Sequence, residues 1–148
     1  MNRFDIPQGR TVSEIQQREK FIKNFYASWN AINPTKHIFN VALKDFIHIK
    51  FLSIQETARL AAADYQSTLA ITFLTEILEK AKIIKRDKPK PNNQNQKRFS
   101  EVIIMQYDKP TFGKIKLTVG VLRGSRQKIQ YCITAIKKKD QQPSSSRK

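Results

Sequence analysis

The sequence predicts an α+β fold, with N-terminal helices packed on one face of an antiparallel sheet of about four strands. Two observations carry this. Apolar residues recur at three- and four-residue intervals through 15–32 and 54–84, and from residue 99 onward they fall on every second position. Helical segments come first and strand segments last, the order of an α+β chain rather than of an alternating α/β one. The 148 residues, 39% apolar with nine Phe, four Tyr and one Trp, suit one domain with a core of its own, expected over residues 1–136.

The first helix is expected over 11–32. Thr11-Val-Ser-Glu14 has the spacing of a capping box, in which the hydroxyl and the carboxylate satisfy amides at the helix start. Ile15, Ile22, Phe25, Tyr26, Trp29 and Ile32 fall near one face, and Asn33-Pro34 stops the run. Residues 37–52 are rich in β-branched and aromatic types and break near Lys44-Asp45, so they read as a strand pair or one interrupted strand. There Phe46, His48 and Lys50 alternate with Ile47, Ile49 and Phe51, and His48 and Lys50 take the wetter face. Ser53-Ile-Gln-Glu56 has the form of a second capping box. From Ile54 to about Ile84 no Gly or Pro interrupts the helix formers, so one long helix is expected, with a break near Ser67-Thr68 as the alternative.

Three strands are expected next, at 99–107, 112–122 and 127–136. In the middle one Ile115, Leu117, Val119 and Val121 alternate with Lys114, Lys116, Thr118 and Gly120, the pattern of a sheet buried on one face. Asp108-Lys-Pro-Thr111 and Arg123-Gly-Ser-Arg126 supply the turns. In the last strand Ile129, Tyr131, Ile133 and Ala135 are expected to face the core, with Lys128, Gln130, Cys132 and Thr134 outward.

The charge is the strongest departure from an ordinary domain: 28 Lys and Arg against 12 Asp and Glu leave a formal +16. Residues 82–98 hold seven basic residues and one acid, and 137–148 hold five and one, so these two segments carry most of the excess. The first contains a flexible basic loop, expected at about 85–98, and 137–148 reads as a disordered basic tail. Such a balance points to a polyanion, most simply RNA or DNA. A single cysteine, Cys132, excludes an intrachain disulfide, and with only His37 and His48 beside it gives no recognisable zinc site. Gly113, Gly120 and Gly124 follow no phosphate-loop or dinucleotide pattern, so neither metal nor cofactor is expected. No apolar run reaches the roughly 18–20 residues of a membrane span, and a cytoplasmic protein without membrane contact is expected.

Alternation gathers the candidate site. His48 and Lys50, then Lys114, Lys116 and Thr118, then Lys128, Gln130, Cys132 and Thr134 share the uncovered face if their strands share one sheet. Lysines neutralise phosphate oxygens and hydroxyls donate to them, so Lys50, Lys114, Lys116 and Lys128, with Arg123 and Arg126 in the turn, are the candidate nucleic-acid contacts. His48, which titrates near neutrality, with Thr118 and Thr134, is the candidate set for metal-independent RNA cleavage. The bland alternative for each is ordinary solvated surface.

Ser53-Ile-Gln-Glu-Thr57, Lys116-Leu-Thr-Val-Gly120 and Gln130-Tyr-Cys-Ile-Thr134 resemble blocks of the phage and polyvalent-protein nuclease-like domains grouped with barnase, EndoU, colicin nucleases and RelE. The likeness spans roughly residues 36–137. It implies helices before a sheet of about four strands and an RNase site on that sheet, with Thr57, Lys116, Thr118 and Thr134 as the matching positions. The leading expectation is therefore a nucleic-acid-binding protein of a phage or mobile element, with an RNase-like domain. A non-enzymatic accessory protein, binding an acidic protein partner through the basic loop and tail, is the expectation from another class. A charge concentrated on the sheet face favours the first, and charge confined to 82–98 and 137–148 the second.

Overall fold

The computed structural model describes residues 6–137. Its first helix, α1 (Val12–Ile32), begins at the expected capping box, with Thr11 accepting from the Glu14 amide and the Glu14 carboxylate reaching back. Its apolar face buries Phe21, Ile22, Tyr26 and Trp29. Arg18 is wholly buried on the same helix: Nε donates to the Ala62 carbonyl at 2.8 Å, and Nη1 to those of Pro7 and Gly9 at 2.8 and 2.7 Å.

The long helix expected from 54 to 84 is three shorter ones: α2 (Phe51–Ala61), α3 (Tyr65–Ile71) and α4 (Leu74–Lys80). The breaks have local causes. Asp64 accepts from the Ser67 amide at 2.7 Å and so starts a new helix, while the Thr72 hydroxyl donates to the Leu69 carbonyl at 2.6 Å at the end of α3. The second capping box is corrected as well. Helix α2 starts one turn earlier than Ser53 would place it, Lys50 caps it with no side-chain bond, and Ser53 and Glu56 lie buried within it.

The sheet has six strands rather than four: β1 (His37–Asn40), β2 (Asp45–His48), β3 (Lys82–Asp87), β4 (Phe99–Lys109), β5 (Gly113–Leu122) and β6 (Lys128–Ala135), ordered β1-β2-β6-β5-β4-β3. It is mixed, because β2 joins β6 in parallel through Ile47↔Lys128 and His48↔Ile129. The strand pair read from 37–52 thus extends the C-terminal meander. The sixth strand, β3, takes in residues 85–87 of the segment expected as loop. As an edge strand it sends only Ile83 toward the core, and so shows no apolar alternation, while its lysines are the residues that edges use against further pairing. The sheet also curls. Asn40, at the end of β1, donates to the carbonyls of Leu78 and Ala81 at 2.8 and 3.1 Å, which brings β1 to the end of α4 immediately before β3.

The four α-helices of the described residues share a core on one face, and α2 also reaches past the β6 edge with Leu60. Ile103, Met105, Ile115, Leu117, Val119 and Ile133 from the sheet meet Ile22, Tyr26, Ala58, Leu74, Ile77 and Leu78 from the helices in one core. Beyond Ile129 the edge of β6 has no strand partner among the described residues, and α2 and α3 close it: the Thr57 hydroxyl donates to the Tyr131 carbonyl at 3.1 Å and the Ala135 amide to Ser67 Oγ at 2.9 Å.

The expected outward set on β6 is corrected by a bulge. Register against β5 steps from Thr118↔Cys132 to Val119↔Gln130, leaving Tyr131 as the extra residue. Cys132 and Thr134 keep the helix-free face. Below the bulge the faces exchange: Gln130 and Lys128 turn to the helix side and Ile129 lies opposite Gly120 on the helix-free side. Gln130 explains the bulge, since its buried amide accepts from Tyr26 Oη and donates to Thr57 Oγ1 at 2.7 Å. Thr57→Val removes that acceptor and the bond to Tyr131 together. Leaving buried groups unsatisfied costs about 1–3 kcal/mol, so urea unfolding of this variant should show a fall of that order, and an unchanged midpoint would contradict the network's role.

Candidate functional site

Residues in register on neighbouring strands point to the same side of a sheet, so the pairing fixes what the helix-free face carries. Lys82, Gln106, Lys116 and Thr134 form one row across β3, β4, β5 and β6. Lys85, Ile104, Thr118 and Cys132 form the next, and Lys114 stands opposite Asp108 beyond the first. Several lysines are tied into ion pairs. Lys23, Lys109, Lys128 and Lys137 each have a carboxylate oxygen within 3.4 Å. Among the described residues, Lys82, Lys114 and Lys116 have no ion pair, although Asp108 is near, accepting from Gln106 at 2.9 Å. Lys85 is paired with Asp87 at 3.3 Å.

The other half of the face is covered. Gly120 leaves the space that the Phe99 ring fills, and a Cβ there would overlap the ring. Phe99 packs edge-on against Tyr131 at 5.6 Å, and with Val102, Ile129 and Cys132 makes a second small core. The stretch expected as free loop crosses this core: Asn95 donates to Glu56 Oε1 at 3.0 Å, and the Lys97 carbonyl accepts from Arg123 Nε at 3.0 Å. Glu56 is nearly buried and holds three donors, with Arg59 and the Tyr131 hydroxyl both at 2.9 Å. Arg98 lies beside this cluster, its guanidinium 4.8 Å from the Phe99 ring and its Nε buried without a partner. Burial, then the neighbouring Glu56, push the Cys132 thiol up to about 12, so it stays protonated and inert between Thr118 and Glu56.

The structure gathers some of the expected residues and separates others. Lys114, Lys116, Thr118 and Thr134 share the open half of the face. His48 does not join them: it pairs with Ile129, two strands from β5, which puts it about 10 Å across the sheet from Thr118 before the step along β5 is counted. Its neighbour is His37, 5.0 Å away between ring centres. Lys50 caps α2 at the end of β2. Arg123 and Arg126 belong to the turn after β5, at the opposite end of that strand from Lys114. Lys128 is a correction, because the bulge turns it to the helix side beside Ile47 and Val121, where it pairs with Asp45 at 2.9 Å. Thr57 is a second one, since it is fully buried in the network under β6. The tail from residue 138 on lies outside the described residues.

Sequence reasoning missed Lys82, Lys85, Arg59, Arg98 and the Glu56–Tyr131 contact. Two lysines flanking an isoleucine pair in Lys82-Ile-Ile-Lys85 are the trace that could have shown an edge strand. Among the described residues no three His, Cys, Asp or Glu side chains converge as a metal site would need, and no helix is long and apolar enough to cross a membrane. Comparison with protein-family models, with curated proteins and with solved structures finds no match.

Burial, then His37 and Lys50, hold His48 below its ordinary 6.5. The folded protein therefore binds this proton less readily than the unfolded chain. The resulting stability is present above pH 6.5 and is lost as pH falls toward the depressed value. Thermal melts from pH 7.5 to 5 should show that loss, and His48→Gln should flatten the slope; an equal slope in both proteins would remove His48 as its source.

Proposed function

We propose that this protein binds nucleic acid through the open half of its helix-free sheet face. The observation that carries the reading is the set of Lys82, Lys114 and Lys116, three cations on one face without carboxylate partners, interleaved with the hydroxyls of Thr118 and Thr134. Like charges facing each other on a sheet repel, and a bound polyanion relieves that repulsion. Phosphate oxygens suit it: lysines neutralise them and release their counterions, and threonine hydroxyls donate to them without reading sequence. The net +16 supplies attraction at longer range.

The two basic stretches bear on the choice between this reading and an accessory protein bound through loop and tail. Lys82 and Lys85 head the 82–98 segment, yet their strand places them beside Gln106 and Ile104 on the same face as Lys116. The head of the basic segment and the sheet lysines thus share one face, whereas Arg86, in register with Ile103, turns to the helix side and pairs with Glu101 at 3.1 Å. The chemistry of the shared face is that of binding, because His48 stands apart from Thr118 and Thr134, and Glu56 is engaged by three donors.

Affinity for labelled RNA and DNA, measured between about 50 and 200 mM salt, tests the proposal. Contact with about six phosphates predicts a fall of roughly 10³-fold over that range. Lys114→Ala and Lys116→Ala should each weaken binding to all sequences alike and reduce the salt slope by about 1. Lys23→Ala, which removes a paired cation from α1, should leave both unchanged. Binding that ignores Lys114 and Lys116 would overturn the assignment of this face.

A further inference from the structure

The β1–β2 hairpin carries a feature that the lysine rows do not explain. Phe39 and Phe46 stand directly opposite one another, 47% and 41% exposed, with ring centroids 5.4 Å apart at 78°. The His37 ring lies 4.2 Å from that of Phe46, and the His48 ring 5.0 Å from that of His37. Four rings thus line one side of a two-stranded ribbon. It is the helix-free side, because Ile38 and Ile47, which alternate with them, pack into the main core. Lys36 and Lys50 flank the hairpin and Lys44 sits in its turn, none of them in an ion pair among the described residues. The hairpin's one acid, Asp45, is held by Lys128 on the other side.

A single exposed phenylalanine is ordinary surface, whereas adjoining exposed rings rimmed by polar residues mark a binding surface. We infer that what covers Phe39 and Phe46 is the bases of a single-stranded nucleic acid, which stack on these rings while the backbone runs to the lysine rows. The inference rests on the proposed function and names its substrate class. An apolar protein partner would be served by aromatic rings alone, whereas unpaired lysines around them match a ligand with a flat apolar face and an anionic backbone. A duplex offers the phosphates but hides the faces of its bases. An unpaired strand offers both, and stacking on aromatic side chains is how sequence-tolerant single-strand binders add affinity to charge.

The test compares one single-stranded oligonucleotide carrying 2-aminopurine, as RNA and as DNA, with the corresponding duplex. The expected result is quenching of 2-aminopurine on binding and a single-strand affinity at least about tenfold above that of the duplex. Phe39→Leu and Phe46→Leu keep an apolar side chain and remove the ring. Each should weaken single-strand binding by about 5- to 150-fold, the range for loss of one base stack, with the salt slope unchanged and the melting curve close to that of the parent. Lys116→Ala should do the reverse, lowering the slope and leaving the quenching in place. Duplex binding as tight as single-strand binding, or phenylalanine variants that bind like the parent, would overturn the inference while the lysine face stands. A concentration-dependent dimer abolished by the same variants would assign the rings to a second copy of this chain instead. Absence of any binding at low salt would remove both readings.

Discussion

A single polarised chain of buried hydrogen bonds underlies the rest of the fold. Tyr26 donates to Gln130, Gln130 to Thr57, and Thr57 to the carbonyl of Tyr131, so each group passes a proton to the next, from α1 to β6, from β6 to α2 and from α2 back to β6. Each buried polar group is satisfied only while the others are, which makes the network an all-or-none device. It needs Gln130 on the helix side. Strict alternation from Ile133 would turn that side chain outward, and the extra residue at Tyr131 resolves the conflict. The same residue delivers the Tyr131 hydroxyl to Glu56 and sets the second small core beneath Phe99.

From that bulge the helix-free face acquires two halves of different chemistry. Above it, on the rows of Thr118 and Lys116, side chains alternate as in a regular sheet and the face stays open and basic. Below it Ile129 meets Gly120, Phe99 closes over both, and residues 93–98 cross on top. Charge follows the same division: Glu56 and Arg59 neutralise each other under the crossing segment, while Lys82, Lys114 and Lys116 above have no ion pair among the described residues. Sheet geometry, rather than composition, separates a structural half from a surface available to ligands.

Much of this architecture was legible in the sequence where periodicity is strong. Helix α1, the hairpin at 37–48 and the β4–β5–β6 meander all follow from spacing and turn residues, as does the shared face of Lys114, Lys116 and Thr118. What escaped has physical reasons. Strand β3 only half-buries one side chain, Ile83, and so has no period to read. The interruptions at Asp64 and Thr72 rest on local side-chain bonds to the backbone, and no Gly or Pro marks them in the run from 54 to 84. Lys128 was assigned to the wrong side because a bulge shifts the alternation by one and leaves no mark in composition. The Glu56–Tyr131–Asn95 cluster joins residues that only tertiary structure brings together, and Ser53-Ile-Gln-Glu56 was more easily read as a cap. Phe46 shares the wetter face with His48 by alternation, whereas Phe39 looks like a core residue by type, and only the absence of a helix over that side of the hairpin leaves it in water.

The position of β6 has a consequence for how the chain reaches this state. The last strand in sequence is the third in the sheet, and it provides the only seam between the hairpin and the meander among the described residues. Its buried partners lie 104 and 73 positions earlier, at Tyr26 and Thr57. During synthesis α1, the hairpin and α2 therefore emerge with their shared partner still unmade. Contacts of such high order are closed late and slowly. Until then Tyr26 and Ile47 lack the strand that covers them, and it is in this interval, rather than in the finished fold, that the nascent chain is most open to misassociation.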